Sequence, residues 1–429
     1  MFKSEPVRGL RDILPPESES LRVIISKFVD VVRSYGYSEV IPPTIELFEL
    51  FAAKSGPEIS RSMYVFRDKA GREVCLRPEL TASVVRMYIK SLLAEPKPVK
   101  LFYVGNAFRY EEPQLGRYRE FYQMGVELIG DSSVYSDLEL FLILRDYYKS
   151  LGLKEYSIKI SDVGILRGLF TDWGINEDTQ DLILHYMDKK LYDEALKILS
   201  KYDKADLKLF NEITKVRTED PEEILEISKT LKLPDEVNER IRRLHEISSF
   251  MNSLNVGKFV IDLSFARGLA YYTGLIFEVA VPNLSISIGG GGRYDNLVEL
   301  YGGPPTPSTG FALGVERTYL ALKELGLTNS LSNDNKVMLI SLVNDYVYVD
   351  RVASVLRDSG YVTNVRFTGK GKLGELIGLA SRRGYKYVVL IGEKELKHLK
   401  VTVKNLITKW QGELDVMELP QRLGEGKCS

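Results

Sequence analysis

The sequence predicts an α+β protein: an antiparallel sheet flanked by helices, a helical insertion within it, and a C-terminal α/β domain. Three observations carry this reading. Between residues 63 and 129 strand-like segments succeed one another without a helix between each pair, which favours antiparallel pairing over βαβ repeats. Residues 165–255 change to Leu, Ile, Glu and Lys at helical spacing. From residue 337 onward, strand-like and helix-like runs alternate.

In chain order, residues 18–36 place Leu21, Ile24, Ile25, Phe28, Val31 and Val32 at helical spacing, with Gly36 as the stop. A short strand at 38–41 then meets Pro42-Pro43, which forces an extended connection. Segments 63–67 and 73–77 flank Asp68-Lys69-Ala70-Gly71 and read as a hairpin. Strands are expected at 100–104, 108–112 and 119–129. Helical runs at 181–200 and 221–254 fill the insertion, and strands resume at 259–263, 276–281 and 285–288. The polar stretch 326–335 reads as a linker. Beyond it the order is strand 337–343, helix 346–359, strand 361–367, helix 373–383 and strand 385–391, which predicts parallel strands. The domain reading is therefore 1–164 with 256–325 as the main body, 165–255 as the insertion, 326–335 as the linker and 336–429 as the α/β domain.

Composition narrows the function classes. At 44% hydrophobic and 27% charged residues, the chain has ample material for a large core and is unlike a disordered one. Two cysteines, Cys75 and Cys428, cannot build a disulfide framework, so a reducing compartment is expected. Three widely separated histidines, His185, His245 and His398, offer no zinc-ligand spacing, so no structural metal is expected. No apolar run reaches membrane-spanning length and the N-terminus has no signal core, so the expected location is the cytoplasm, with no membrane partner. Net charge is −1, but from Lys336 to the end there are 16 Lys/Arg against 10 Asp/Glu. A basic C-terminal module on an acidic body is compatible with gripping a phosphate backbone; a basic surface kept for solubility gives the same count.

Four stretches carry chemistry. Residues 108–121 are dense in arginine and carboxylate around Pro113 and Gly116, and a strand–loop–strand hairpin can aim a planar guanidinium at a phosphate. A solvated, salt-bridged hairpin has the same charge pattern. Phe265-Ala266-Arg267-Gly268-Leu269-Ala270-Tyr271-Tyr272-Thr273-Gly274 sets paired tyrosines beside an arginine; such rings can wall a flat substrate or simply fill a core. Gly289-Gly290-Gly291-Gly292-Arg293-Tyr294-Asp295 allows close backbone approach to a ligand, or makes a flexible turn; it is neither a phosphate-binding P-loop nor a dinucleotide fingerprint. Gly310-Phe311-Ala312-Leu313-Gly314-Val315-Glu316-Arg317 places an arginine on the first turn of a helix that follows a strand.

Together and in this order, these stretches resemble the class II aminoacyl-tRNA synthetases. Ile41-Pro42-Pro43 resembles the first class motif, Arg109 with Glu111 the Arg-x-Glu of the second, and Gly314-Val315-Glu316-Arg317 the third. Arg267 to Tyr272 and Gly291-Gly292-Arg293-Tyr294-Asp295 resemble two signatures of the histidyl-tRNA synthetases; Arg8-Gly9-Leu10-Arg11-Asp12 and Leu76-Arg77-Pro78-Glu79-Leu80-Thr81-Ala82 also fit. The resemblance runs from about residue 8 to about residue 422.

It implies a class II synthetase fold with an anticodon-binding C-terminal domain. The implied reaction joins L-histidine to ATP, which enters with Mg2+, as histidyl-adenylate, and then charges tRNA(His). It also implies a homodimer, with the first-motif proline at the interface. By the same resemblance Arg109, Arg267 and Arg317 are catalytic, and ATP meets Arg109, Glu111 and Arg317. Histidine meets Glu79, Thr81 and Gln123 at its α-amino end and Glu127 and Tyr272 at its imidazole, with Arg109, Arg267, Tyr271 and Tyr294 around it. The tRNA acceptor end falls to Gln114 and Arg119. Two positions depart from the family pattern: Ala270 stands where an aspartate is usual, and Glu112 where many relatives have arginine. Synthetase-like regulatory subunits, the alternative, lose catalytic arginines and the C-terminal domain; this chain keeps Arg109, Arg267, Arg317 and an α/β tail.

Overall fold

Apolar side chains three and four apart make the first long helix one-sided. Glu17–Ser34 buries Leu21, Ile24, Phe28 and Val32, each worth roughly 1.5–3 kcal/mol on full burial. Phe28 is met edge-on by Tyr147 at 5.5 Å, Phe311 at 6.4 Å and Phe102 at 6.5 Å. The helix thereby shares a core with the sheet.

The structure is a computed structural model that describes residues 4–52, 62–266, 271–331 and 335–424. The chain divides into two units, Met1–Leu331 and Ser332–Ser429. In the first, the strands are β1 (Ser38–Glu39), β2 (Ile45–Leu47), β3 (Tyr64–Arg67), β4 (Glu73–Leu76), β5 (Val99–Phe108) and β6 (Glu120–Ile129). They continue as β7 (Ser157–Asp162), β8 (Arg217–Thr218), β9 (Lys258–Asp262), β10 (Leu275–Ala280), β11 (Gly289–Arg293) and β12 (Ser308–Gly314). Nine of these form one sheet in the order β1-β5-β6-β12-β11-β10-β7-β9-β8, and β2-β4-β3 form a small second sheet. The large sheet is antiparallel except where β1 meets β5 and β7 meets β9.

Three differences from the sequence reading have physical causes. First, β5 is unbroken through Phe108, which pairs with Glu120; the expected strand at 108–112 does not form. Pro113 lacks a ladder donor and Gly116 sits at φ 71°, so residues 109–119 make a loop. Second, a helix, Thr81–Ser91, lies between β4 and β5 and buries Val84, Val85 and Tyr88. Third, the expected strand at 285–288 starts later, and the four-glycine run is itself β11, between β10 and β12. A Cβ on Gly291 would collide with the Gly310 carbonyl and lie 2.6 Å from the Cα of Phe311.

Between β7 and β9 the chain is largely helical, from Val163–Asp172 to Asp235–Ser253. The two long runs expected there are each split: Glu177–Asp188 and Tyr192–Leu199, then Pro221–Thr230 and Asp235–Ser253. The stretch also contributes β8 to the sheet edge. Residues 332–334 of the expected linker lie outside the described residues.

The second unit holds β13 (Lys336–Ser341), β14 (Val362–Phe367), β15 (Tyr387–Ile391), β16 (Lys400–Asn405) and β17 (Gln411–Asp415) in the order β14-β13-β15-β16-β17. The first three are parallel. The sequence reading missed the antiparallel pair β16–β17 that extends them.

One buried ion network ties the first unit's parts together. Asp137, fully buried on helix Val134–Ser150, accepts from Arg293 at the end of β11 (Nη2 at 2.8 Å) and from Arg243 of helix Asp235–Ser253 (Nη2 at 2.7 Å). Arg293→Ala therefore leaves a buried carboxylate short of its main partner. We expect a loss of about 3–5 kcal/mol in chemical denaturation, with Arg243→Ala milder because Arg293 remains. A loss below about 1 kcal/mol for Arg293→Ala would refute this role.

Candidate active site

The sheet's middle strands carry the site. Gln123 and Glu127 lie four apart on β6 and so share a face. Beside them, β11 and β12 contribute glycines where side chains would block the space. Above this floor opens a cleft of about 590 Å³.

At its bottom is Glu127, 1% exposed. The Thr81 hydroxyl donates to its Oε1 at 2.8 Å and the Tyr294 hydroxyl donates to its Oε2. Burial pushes the carboxyl up to about 8, against the opposing hydrogen bonds from Tyr294 and Thr81. Gly310 faces it across the β6–β12 ladder; a Cβ there would strike the Glu127 carboxylate and lie 2.9 Å from the Tyr294 hydroxyl. The Tyr103 hydroxyl occupies the space that a side chain at Gly125 would take. Sequence reasoning missed Tyr103, because a tyrosine in an apolar strand reads as core.

Glu79 precedes helix Thr81–Ser91 and accepts from the backbone N–H groups of Thr81 (2.5 Å) and Ala82 (2.9 Å), as a carboxylate at a helix N-terminus does. Burial raises its pKa, opposed by those N–H groups and by the Arg109 charge. Gln123 Oε1 accepts from Leu80 N–H at 3.1 Å. The cleft wall thus unites Glu79, Thr81, Gln123 and Glu127.

Tyr271, Tyr272 and Tyr294 form a second wall. Tyr271 meets Tyr272 at 4.9 Å and Tyr294 edge-on at 5.7 Å. The adjoining Thr273 is fixed by its N–H to the Arg293 carbonyl (2.9 Å), and its hydroxyl accepts from Asp295 N–H (3.0 Å).

The mouth is basic and acidic at once. Arg109 Nε donates to the Pro78 carbonyl at 2.9 Å, with the guanidinium 5.5 Å from the Phe121 ring centre. Glu111 and Gln114 line the same mouth. Arg317, on the first turn of helix Val315–Glu324, donates to the Gly116 carbonyl (3.0 Å) and the Ser287 carbonyl (3.1 Å), so it holds two loops together. Its neighbour Glu316 accepts Tyr122 N–H at 3.0 Å, extending the β6 ladder past the end of β12; burial lifts its carboxyl to about 7.

One expected site residue is not brought to the cleft. Arg119 is buried instead: it donates to the Glu111 and Arg8 carbonyls at 3.1 Å and lies 3.7 Å from the Tyr110 ring centre. It clamps the 109–119 loop to the opening segment and does not line the cleft. Arg267 lies outside the described residues, as does Ala270. Glu112 pairs with Arg8 at 3.0 Å in solvent. Among the described residues no group of three His, Cys, Asp or Glu is placed to hold a metal ion, and no helix is long and apolar enough to cross a membrane.

Residues 9–318 match the family described as Histidyl-tRNA synthetase, and residues 336–425 match the anticodon binding domain. The chain is 43% identical over 418 residues to a histidine–tRNA ligase of Saccharolobus solfataricus, covering 96% of each. It is also similar to the solved structure of apo S. aureus histidyl-tRNA synthetase, at TM-score 0.70 and 27% identity over 99% of this chain and all of that one. The histidyl-tRNA synthetase structure from Nostoc sp. PCC 7120 shares the fold, at TM-score 0.81 and 20% identity, over 99% of this chain and all of that one.

The elevated Glu127 carboxyl has a stability signature. Its folded value, about 8, exceeds the ordinary value of about 4.3. Its contribution is therefore complete below pH ~4.3 and is lost as pH rises toward 8. Glu127→Gln removes that loss. Urea denaturation at pH 5 and pH 8.5 should show the parent losing more stability over the interval than the variant; equal losses would refute the assignment.

Proposed function

The chain belongs to the histidyl-tRNA synthetase family, and on that premise we propose that it is a histidine–tRNA ligase that uses ATP to charge tRNA(His). The observation that carries this reading is the Glu127 carboxylate, held by Thr81 and Tyr294 at the bottom of a cleft whose mouth bears Arg109 and Arg317.

In the first step the histidine carboxylate oxygen attacks the α-phosphorus of ATP and pyrophosphate leaves. In the second, a hydroxyl of the RNA's terminal adenosine attacks the acyl carbon and AMP leaves. Negative charge builds on the α-phosphate, so catalysis is positional and electrostatic. We assign Arg109 to that phosphate: its Nε anchor on Pro78 fixes the guanidinium at the wall. Arg267 is assigned to the same phosphate from the sequence alone. Glu111 and Arg317 take the nucleotide end, Arg317 held by the Gly116 and Ser287 carbonyls. ATP enters as its magnesium complex, and the Glu111 carboxylate at the mouth suits the metal's water shell.

Glu79, Thr81 and Gln123 are assigned to the α-ammonium, which a buried carboxylate near a hydroxyl and an amide suits. Glu127 is assigned to an imidazole N–H, Tyr272 to the second ring nitrogen, and Tyr271 and Tyr294 to the walls. An amino acid without ring nitrogens offers Glu127 and Tyr272 no ring N–H or acceptor, so it loses the hydrogen bonds that favour histidine. Gln114 stays with the acceptor end of the RNA. Residues 336–425 are assigned to the anticodon. A homodimer is supported by apolar exposure near the first-motif prolines: Ile41 is 81% exposed, and Ile45, Val65 and Phe66 are exposed on the β2-β4-β3 sheet.

The deciding experiment is histidine-dependent exchange of labelled pyrophosphate into ATP, with other amino acids as controls. Exchange with histidine alone is expected. Histidine binding without exchange would move the chain to a histidine-sensing role. Arg109→Ala should cut the exchange kcat by about 10²–10³; an unchanged kcat removes Arg109 from the phosphate. Glu127→Gln should raise the KM for histidine by at least about ten-fold, and an unaltered KM would remove Glu127 from the ring.

A further inference from the structure

In the C-terminal unit, helix Tyr346–Asp358 packs on one face of the sheet, its Val349, Val352 and Leu356 sharing a core with Val337 and Leu339 of β13. Helix Leu373–Arg382 packs on the other, its Ala380 sharing a core with Met338 and Ile340. The chain therefore leaves the adjacent parallel strands β13 and β14 toward opposite faces. The carboxyl ends of parallel strands are where open α/β sheets bind ligands.

Two aromatic rings stand at these carboxyl ends. Tyr346 opens the helix that follows β13, and Phe367 ends β14, paired with Ser341 at the end of β13. Their ring centres are 5.1 Å apart. Tyr346 is 67% exposed, Phe367 42%, and the adjoining Val347 83%. The backbone beneath them is fixed, with Thr368 N–H donating to the Ser341 carbonyl and Leu342 N–H to the Ile391 carbonyl. The unit is basic, with 16 Lys/Arg against 10 Asp/Glu from Lys336 onward, and Arg366 and Lys372 are exposed beside this edge. Exposed rings among cations match the chemistry of unpaired nucleobases on a phosphate backbone.

We infer that Tyr346 and Phe367 form a stacking platform for unpaired bases of the tRNA anticodon loop, at the carboxyl ends of β13 and β14. This rests on the ligase reading and adds the place and the mode of contact.

The test uses full-length protein. Tyr346→Ala and Phe367→Ala should each raise the KM for tRNA in histidine charging roughly ten-fold, while Tyr346→Phe and Phe367→Tyr, which keep a ring, should stay within about two-fold of the parent. Pyrophosphate exchange, which involves no RNA, reports whether the catalytic unit is intact. In parallel, a tRNA carrying 2-aminopurine in the anticodon should lose fluorescence on binding the parent protein and lose far less on binding Phe367→Ala. Unchanged tRNA KM in both alanine variants, or no quenching by the parent, overturns the platform. So does an altered oligomeric state of the alanine variants with tRNA KM unchanged, which would make the patch a contact between copies. A parent protein without histidine-dependent exchange instead overturns the ligase reading itself.

Discussion

A carboxylate withdrawn from water must be held by hydrogen bonds or give up its charge, and much of the catalytic unit is arranged around that demand at Glu127. Its two oxygens are taken by Thr81 and Tyr294. Thr81 is in place because Glu79 caps the helix it begins. Tyr294 is in place because its neighbours are fixed: Arg293 on buried Asp137, and Asp295 on Ser308 N–H. Asp137 in turn holds Arg243 from the helical insertion. A continuous chain of charged and polar contacts therefore runs from the insertion to the floor of the cleft, and through Glu79 toward Arg109.

The glycines of β11 and β12 answer a second demand. A central strand with four consecutive glycines gives up side-chain packing and backbone entropy. It is tolerated because the neighbouring chain comes too close for a Cβ: the Gly310 carbonyl at Gly291, and the Glu127 carboxylate with the Tyr294 hydroxyl at Gly310. The space so gained goes to the paired acid and phenol, not to a mobile loop. Flexibility, the usual inference from a glycine run, is the opposite of what the ladder on both sides imposes.

The sequence was legible where one local rule decides the outcome. Periodicity located the first helix, turn chemistry the hairpin between β3 and β4, and alternation the parallel core of the C-terminal unit. Gln123 and Glu127 were named through the family resemblance, and β6 sets them four apart on one face. The β11 strand was not legible, because nothing local favours extending four glycines; the register is imposed by β10 and β12. Tyr103 was not, because its role depends on lying opposite Gly125, a fact of strand pairing. The β16–β17 pair was not, because its strands are short and half polar.

Arginine shows the limit most clearly. Arg77, Arg109, Arg119, Arg293 and Arg317 all sit in stretches that fit the family pattern, and charge pattern alone treats them alike. What separates them is where their N–H donors go. Arg77 spends Nη1 on the Pro42 and Pro43 carbonyls and Nε on the Asn106 carbonyl. Arg119 spends its donors on the Arg8 and Glu111 carbonyls, and Arg293 on Asp137, Ser136 and Asp295. Those three are consumed by the fold. Arg109 is anchored through Nε and faces the cleft. A guanidinium serves either end because its planar fork satisfies carbonyls and phosphates with the same geometry. Only the folded neighbourhood decides which, and Arg317 shows the intermediate case: it lines the cleft while its Nε and Nη1 hold the Gly116 and Ser287 carbonyls.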